Sequence, residues 1–228
     1  MHPLDNVIWQ ALTTRQAAFA ECHEQARRFP REVTGLGAFR EPNDEGYACL
    51  AALLGPHGAV GIFLDEPYHP RPGWEYAGGA GLLQMIHADA ASLPDSSFTF
   101  VQLGDDDSPE MQELAALTKP GPFGCRTHEL GTYLGIRCEG KLIAMAGERL
   151  KVPGHTEVSA VCTHPDHLGK GYAGSLMSEL IRRIHARGET PFLHSRADNA
   201  RAIELYQRLG FRERKRGHYA VLRRLNGA

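Results

Sequence analysis

The stretch VSAVCTHPDHLGKGYA, from Val158 to Ala173, decides the fold class. It begins with a short apolar run that ends before a His-Pro turn, which predicts a β-strand finishing at Thr163. After Gly171, apolar residues recur at the spacing of one helix face, which predicts a helix. Glycines at a helix start let backbone N–H groups approach an anion, and Lys170 adds a positive charge. Tight packing of strand on helix would explain the same small residues.

Two nucleotide-binding motifs are excluded. The GxxxxGK[ST] spacing of P-loop nucleotide hydrolases is absent. The letters GKGYAG, residues 169–174, match the dinucleotide pattern GxGxxG, but three predicted antiparallel strands precede them. A dinucleotide fold places this turn after its first strand and a ribose-binding acid about 20 residues later, where this chain has Glu189 in a predicted turn.

A second motif, NARAIELYQRLGF from Asn199 to Phe211, is far more specific. Together the two motifs resemble the acetyl-CoA-binding core of the GNAT N-acetyltransferases. The resemblance is clearest over residues 157–213 and extends in outline from Phe98 onward. Leu168 departs from the family pattern, because the phosphate loop usually begins with Gln or Arg. The resemblance implies that Leu168 weakens pyrophosphate binding only mildly, since in the family that segment contacts pyrophosphate mainly through backbone N–H groups.

The resemblance also implies a set of residues that bind acetyl-CoA. The end of the strand would lie beside the pantetheine arm, the glycine-containing loop would hold the pyrophosphate, and residues of the last helix would face the cofactor arm. These residues are, in that order, Val161, Cys162 and Thr163; Leu168, Gly169, Lys170, Gly171, Tyr172 and Ala173; and Asn199 and Ala202, with Tyr206 beside them. An N-cap role explains Asn199 equally well, and the two roles are compatible.

Tyr206 is the predicted catalytic proton donor. It lies two turns beyond Asn199, so it projects from nearly the same helix face. The resemblance implies that its hydroxyl protonates the departing CoA thiolate. From periodicity alone, a half-buried core tyrosine is the simpler interpretation.

Glu157 is the predicted general base, because acetylation of an amine needs a neutral nucleophile. Its position relative to the glycine loop resembles that of the catalytic glutamate in the histone-acetylating branch of the family. A solvated carboxylate at a strand end is the alternative. Glu148, His155 and His128 are weaker candidates for the base.

The rest of the chain reads as mixed α/β. Before residue 95 the pattern predicts a helix over residues 7–28, strands over 47–54, 59–64 and 82–87, and a Pro/Gly-rich loop over 66–81. The whole pattern predicts a GNAT-type α/β (α+β) fold. Its sheet would be mixed but mostly antiparallel, splayed between strands 158–163 and 191–196, with helices on both faces.

The polar segment from Ser92 to Ser97, which contains a proline, is the best boundary candidate. We therefore predict an N-terminal α/β region over residues 1–95 and an acetyltransferase domain over 96–228. We expect the N-terminal region to be a degenerate second GNAT-like half that lacks a phosphate loop of its own.

The charge balance argues against nucleic acid as a partner. The chain has 25 Lys and Arg against 27 Asp and Glu, a net charge of -2. Residues 196–224 carry nine basic residues against three acidic ones, which suits the 3′-phosphate of CoA or a solvated face. Residues 95–113 carry six acids and no base, which suits helix capping or a cationic acceptor. No apolar run is long enough to span a membrane, and no signal peptide is visible, so we expect a cytoplasmic protein.

The five cysteines form no C-x-x-C pair, so neither a disulfide framework nor a zinc site is predicted. Cys162 could carry an acyl group, but a buried strand cysteine is the simpler interpretation. His164 and His167 have a metal-like spacing without a third ligand nearby, and an ordinary polar turn explains them. We expect no metal.

The predicted activity is direct transfer of an acetyl group from acetyl-CoA to a primary amine. The acceptor would be a small molecule or a protein amine, and the enzyme a monomer or a homodimer. The alternative is a non-catalytic acyl-CoA-binding sensor or interaction module.

Overall fold

The computed structural model describes residues 2–87, 93–94 and 96–225. Within these ranges the α-helices are α1 (Val7–Thr13), α2 (Asp44–Leu54), α3 (Ser108–Thr118), α4 (Tyr172–Ala186) and α5 (Ala200–Arg208). The strands are β1 (Glu21–His23), β2 (Ala26–Arg28), β3 (Gly37–Phe39), β4 (Ala59–Leu64), β5 (Trp74–His87), β6 (Val101–Leu103), β7 (Tyr133–Cys138), β8 (Lys141–Val152), β9 (His155–Thr163), β10 (Thr190–Arg196) and β11 (Phe211–Arg224). None of these helices has the length and apolar character that a membrane crossing requires.

An eight-stranded sheet organises the molecule, in the order β4-β11-β5-β10-β9-β8-β7-β6. Its neighbouring strands are antiparallel except β9 and β10, which are parallel. A smaller antiparallel sheet consists of β1, β2 and β3. The predicted mixed, mostly antiparallel sheet is confirmed.

Helices cover both faces of the large sheet. On one face, α4 and α5 bury an apolar cluster that includes Leu176 and Leu180 of α4 and Leu193 of β10. On the other face, α1 packs near Phe192 of β10, and α3 packs over β8 and β9. Because successive side chains alternate along a strand, Phe192 and Leu193 point to opposite faces of the sheet. The helices on both faces were predicted correctly.

The predicted helix over residues 7–28 is wrong beyond Thr13. The hydroxyl of Thr13 donates a hydrogen bond to the Trp9 carbonyl at 2.7 Å, and that of Thr14 donates to the Gln10 carbonyl. Such side-chain bonds compete with helix propagation, and β-branched residues lower helix propensity. The chain then turns into the β1-β2 hairpin, with Glu24 in a left-handed conformation.

The predicted strand over residues 47–54 is helix α2. Asn43 caps it, because its side-chain oxygen accepts a hydrogen bond from the Gly46 N–H at 2.8 Å. A short apolar run does not by itself distinguish a buried strand from a buried helix, and the cap was the missed signal. The predicted loop over 66–81 is also too long, since β5 begins at Trp74.

The two predicted regions of the chain share the large sheet. Strand β5, which precedes the predicted boundary, pairs with both β10 and β11. Ser92 and Asp95 both belong to the polar segment predicted as the boundary, and both lie outside the described residues. The division at residue 95 and the GNAT-like origin of the first region remain predictions.

Candidate active site

The parallel strands β9 and β10 are joined at one end. Their ladder starts with His155 and Thr190 and ends with Glu157 and Phe192, and beyond that pair no described residues join the two strands. The strands diverge from there and leave a cleft in the sheet. The cleft is the splay that the sequence predicted.

β9 carries a bulge beside the cleft. Its pairing with β8 shifts between the pair Cys162–Met145 and the pair Ser159–Gly147, and Ala160 has a φ of 52°. A bulge takes a residue out of the ladder and changes the direction of the side chains that follow. The backbone that was predicted to lie beside pantetheine therefore begins at an irregular, cleft-facing part of β9.

A short exposed loop joins the end of β9 to the start of α4. Gly169 and Gly171 have φ values of 79° and 84°, a left-handed conformation that favours glycine. A Cβ built on either glycine would meet nothing within 4 Å, so the space beside both is open. Gly171 is the N-cap of α4 and has no side chain to occupy the first N–H groups of the helix. The loop is thus shaped to bring backbone N–H groups to an anion.

Leu168 and Lys170 complete this loop. Both are exposed, and Leu168 exposes 48% of its surface. Tyr172 and Ala173, in the first turn of α4, are half-buried.

Helix α5 carries the residues predicted to face the cofactor arm. The Asn199 side-chain oxygen accepts a hydrogen bond from the Ala202 N–H at 3.2 Å, so Asn199 caps the helix. Tyr206 is half-buried against the cluster under α4 and lies edge-on to Phe211 at 6.3 Å between ring centroids. Burial raises the pKa of Tyr206 to about 12, so its hydroxyl is protonated at neutral pH.

Cys162 is buried, and burial raises the pKa of its thiol to about 11. A thiol of this pKa carries almost no thiolate at neutral pH, so the structure favours a core role over an acyl-carrier role. Val161 and Thr163, its neighbours on β9, are half-buried.

Glu157 is fully buried rather than solvated, so the alternative of an exposed strand-end carboxylate is wrong. Arg149 binds it with two hydrogen bonds of 2.8 Å, and the Leu150 N–H and the His194 Nδ1 also contact it. Burial alone would raise the pKa of Glu157, but the charge of Arg149 and the hydrogen bonds from Arg149 and His194 outweigh burial and lower it to about 2. The carboxylate is ionised and closely surrounded. Its role as base stays a prediction.

His194 was missed by the sequence analysis. Its Nδ1 lies 2.7 Å from Glu157, and its Nε2 lies 3.0 Å from the Gln84 side-chain nitrogen. Gln84 is itself oriented, because its oxygen accepts from Arg214 and its nitrogen donates to the Leu4 carbonyl. His194 Nε2 must therefore accept from Gln84, so the proton is on Nδ1 and is donated to Glu157. A polar residue at an inward position of a predicted buried strand was the available signal.

This chain of contacts crosses the sheet. The Arg214 guanidinium also binds Asp5, just before α1, at 2.6 Å. The network of Asp5, Arg214, Gln84, His194, Glu157 and Arg149 spans β11, β5, β10, β9 and β8. It lies at the closed end of the cleft, since Glu157 belongs to the last pair of the β9-β10 ladder.

The weaker base candidates have other partners. Glu148 is fully buried, and its contacts with Lys151 and Arg187 outweigh burial and lower its pKa. His155 stands at the closed end of the strand pair, opposite Thr190. His128 bonds Asp105 at 2.7 Å. These contacts do not bring any of the three to the open side of the cleft.

The predicted acid and base lie on opposite faces of the sheet. Tyr206 packs into the cluster of α4 and α5. Glu157 contacts His194, which alternates with Leu193 of that cluster and so points to the other face. The cleft between β9 and β10 is the opening through which the two faces communicate.

Comparisons with known proteins agree with this architecture. The family model for FR47-like protein matches residues 133–220. N-alpha-acetyltransferase RimI of Mycobacterium tuberculosis is 35% identical over 111 residues, which cover 45% of this chain and 69% of that protein. The crystal structure of an acetyltransferase from the GNAT family of Novosphingobium aromaticivorans is 38% identical, with a TM-score of 0.89 over 98% of this chain and 99% of the other.

A more distant structure shows the same fold. It is a GCN5-related N-acetyltransferase from Kribbella flavida, 15% identical, with a TM-score of 0.62 over 97% of this chain and 94% of that chain. Taken with the cleft, the glycine loop and the relatives above, these matches lead to one conclusion: the chain belongs to the GNAT family of N-acetyltransferases.

Proposed function

We propose that the protein transfers an acetyl group from acetyl-CoA directly to a primary amine of a small molecule or a protein. The observation that carries the proposal is the cleft where the β9-β10 ladder stops after Glu157 and Phe192, with the loop of Gly169 and Gly171 at the end of β9. An extended arm can lie along β9, where its backbone leaves the ladder. The open glycine loop can take the phosphates at the same time.

The donor-binding residues predicted from the sequence are compatible with this geometry. The backbone of Val161, Cys162 and Thr163 would hold the pantetheine arm as an added strand does. The loop residues Leu168, Gly169, Lys170, Gly171, Tyr172 and Ala173 would hold the pyrophosphate, mainly through N–H groups at the start of α4. Asn199 and Ala202 would line the cofactor arm at the start of α5.

Tyr206 would act as the general acid. In the reaction, the amine nitrogen forms a bond to the thioester carbon and the carbon–sulfur bond breaks. Tyr206 gives its proton to the leaving sulfur, which then departs as a neutral thiol. A pKa of about 12 keeps this hydroxyl protonated until the carbon–sulfur bond breaks.

His194 would accept the proton of the amine, and Glu157 would assist by its contact with His194. A pKa of about 2 makes Glu157 a weak base, but its charge stabilises an imidazolium on His194, which already donates Nδ1–H to it. The proton would arrive at His194 Nε2, and the hydrogen bond from Gln84 would have to yield at that moment. Glu157 is then a positioning residue and His194 the group that accepts the proton.

Calorimetry with acetyl-CoA and CoA, followed by thiol release with a panel of amines, tests the proposal. Gly171→Ala should weaken acetyl-CoA binding by about tenfold or more, because it blocks the loop and strains a left-handed position. Gly140→Ala is the matched control, since Gly140 has a φ of 80° and open space around it in the β7-β8 turn. Equal binding by both variants contradicts the proposed loop. Binding without thiol release from any amine would favour a non-catalytic CoA-binding module.

A further inference from the structure

Two adjoining cavities open on the sheet face opposite α4 and α5. The smaller holds about 40 Å³ and the larger about 400 Å³. They share a wall made of the residues just before and within the start of α1 and at the end of β4, namely Asp5, Val7, Phe63, Leu64 and Asp65. The two cavities therefore adjoin, and together they are called the recess.

The smaller cavity reaches the polar network at the closed end of the cleft. Gln84 and His194 line it, and the Phe63 ring lies 4.6 Å from the His194 ring. His194 in turn binds Glu157, the last paired residue of β9 before the strands diverge. A molecule in the recess would therefore present its inner end to the imidazole beside the cleft.

The larger cavity is mainly apolar and aromatic. Its walls come from α1, β3, α2, β4 and the segments that follow β3 and β4, and they include Ile8, Phe39, Tyr47, Ile62, Phe63 and Tyr68. The rings of Phe39 and Tyr47 lie 4.8 Å apart, and those of Tyr47 and Tyr68 lie 6.4 Å apart. An aromatic wall of this kind suits an aromatic or branched aliphatic body rather than a highly charged one.

Charged groups at the recess are partly neutralised by neighbours. Arg71 lies over the Tyr47 ring at 4.3 Å and is ion-paired with Asp44. Asp65 pairs with Lys215 at 2.7 Å. The lining of the larger cavity has four carboxylates, Asp5, Glu41, Asp65 and Glu66, against two arginines, Arg40 and Arg71, so a positively charged amine meets no net repulsion on its way in.

We propose that this recess is the acceptor site and that the acceptor is a small primary amine with an aromatic or branched apolar body. The inference rests on the proposed function, since it takes the other face of the cleft as the side of the donor. A volume of about 400 Å³ falls within the range of small-molecule pockets, whereas a polypeptide would need an extended groove. The region before residue 95 then selects the acceptor, because it supplies all the walls of the larger cavity.

The test compares three amines: 2-phenylethylamine, spermidine, and a hexapeptide with a free N-terminal alanine. We expect acetylation of 2-phenylethylamine with a kcat/KM at least about tenfold above the other two. Leu64→Trp fills the shared wall and should raise the KM for 2-phenylethylamine by about tenfold or more, while acetyl-CoA affinity stays unchanged. Leu117→Trp is the matched control, because Leu117 is a half-exposed leucine on α3 outside the recess.

Saturation-transfer NMR of 2-phenylethylamine, with CoA present, gives a readout that does not depend on turnover. Binding to the wild type and to Leu117→Trp but not to Leu64→Trp supports the recess even if no thiol is released, and such a result would count against the proposed function alone. Preference for the peptide, an unchanged KM in a folded Leu64→Trp protein, or no binding of 2-phenylethylamine at millimolar concentration overturns the acceptor site.

Discussion

Tyr206 carries a neutral hydroxyl at neutral pH, and the proposed mechanism makes it the proton donor to the departing thiolate. Removing the hydroxyl while keeping the ring should preserve its packing against Phe211. We expect Tyr206→Phe to lower kcat by about a hundredfold, because the leaving sulfur loses its proton donor. Calorimetry should show an unchanged Kd for acetyl-CoA. A variant with wild-type turnover would remove Tyr206 from the role of acid and leave it as a core residue.

Glu157 makes the stability of the protein depend on acid pH. Its pKa is about 2 in the folded protein against an ordinary value of 4.5. Since the pKa is lowered by folding, its contribution is fully present above about pH 4.5 and is lost as the pH falls toward 2. This loss is on the order of 3 kcal/mol. Urea unfolding at pH 7 and at pH 3 should show about 2 kcal/mol of this loss, because pH 3 still lies above the pKa of Glu157 in the folded protein.

Glu157→Gln should remove that pH dependence and destabilise the protein at pH 7. Arg149 would stay buried without its counter-ion, at a cost of about 3–5 kcal/mol. The exposed pair of Glu129 and Arg126 provides the control, and Glu129→Gln should change stability by less than about 1 kcal/mol. If Glu157→Gln does not fold, the double variant with Arg149→Met restores neutrality. An unchanged pH–rate profile in a folded variant would exclude Glu157 from proton removal.

At the scale of the element, the end of α3 is strained. Lys119 caps this helix with a φ of 51° and a ψ of 55°, and its N–H bonds the Ala115 carbonyl at 2.8 Å. Glycine adopts this conformation without the Cβ penalty. We expect Lys119→Gly to raise the free energy of unfolding by about 0.5–1 kcal/mol, measured as a higher urea midpoint at constant m. Lys119→Ala keeps the penalty and should give no such gain; equal gains from both would contradict the explanation.

The elements that the sequence predicted well are those with strong local signals. The strand that ends at Thr163 and the helix that begins after Gly171 have regular apolar spacing and are separated by a clear turn, and both were found at those predicted positions. The secondary structure before residue 65 was harder to predict. The apolar run of α2 fitted strand and helix alike, and the helix at Val7 was stopped by a pair of threonines whose hydroxyls bond the preceding turn.

The candidate site was predictable as far as its motifs are continuous in sequence. The glycine loop and the Asn199 cap belong to such motifs. The network around Glu157 was not predictable, because its members come from separate strands that meet only in the folded sheet. Strand β5 reaches β10 and β11 from a distant part of the chain, and no local pattern indicates that placement.

At the scale of the whole molecule, Arg214 connects the N-terminal segment to the cleft. It binds Asp5 and the Gln84 oxygen, and thereby fixes which way the Gln84 amide points toward His194. Without Arg214 the amide can rotate and offer its oxygen to His194, which would favour the other imidazole tautomer and break the bond to Glu157. The N-terminal segment thus contributes to the state of a group beside the cleft.

Arg214→Met should therefore lower kcat by about tenfold or more while acetyl-CoA affinity changes little, because the change acts on proton removal and not on the donor loop. Loss of the buried contacts should also cost about 1–3 kcal/mol of stability. Arg223→Met on the same strand is the matched control: Arg223 pairs with exposed Glu75 at 3.0 Å, so turnover should be unchanged and stability should fall by less than about 1 kcal/mol. NMR of the imidazole nitrogens gives the decisive readout, with a proton on Nδ1 of His194 in the wild type and in Arg223→Met. An unaltered tautomer in an impaired Arg214→Met enzyme would show that the network stabilises the fold without orienting His194.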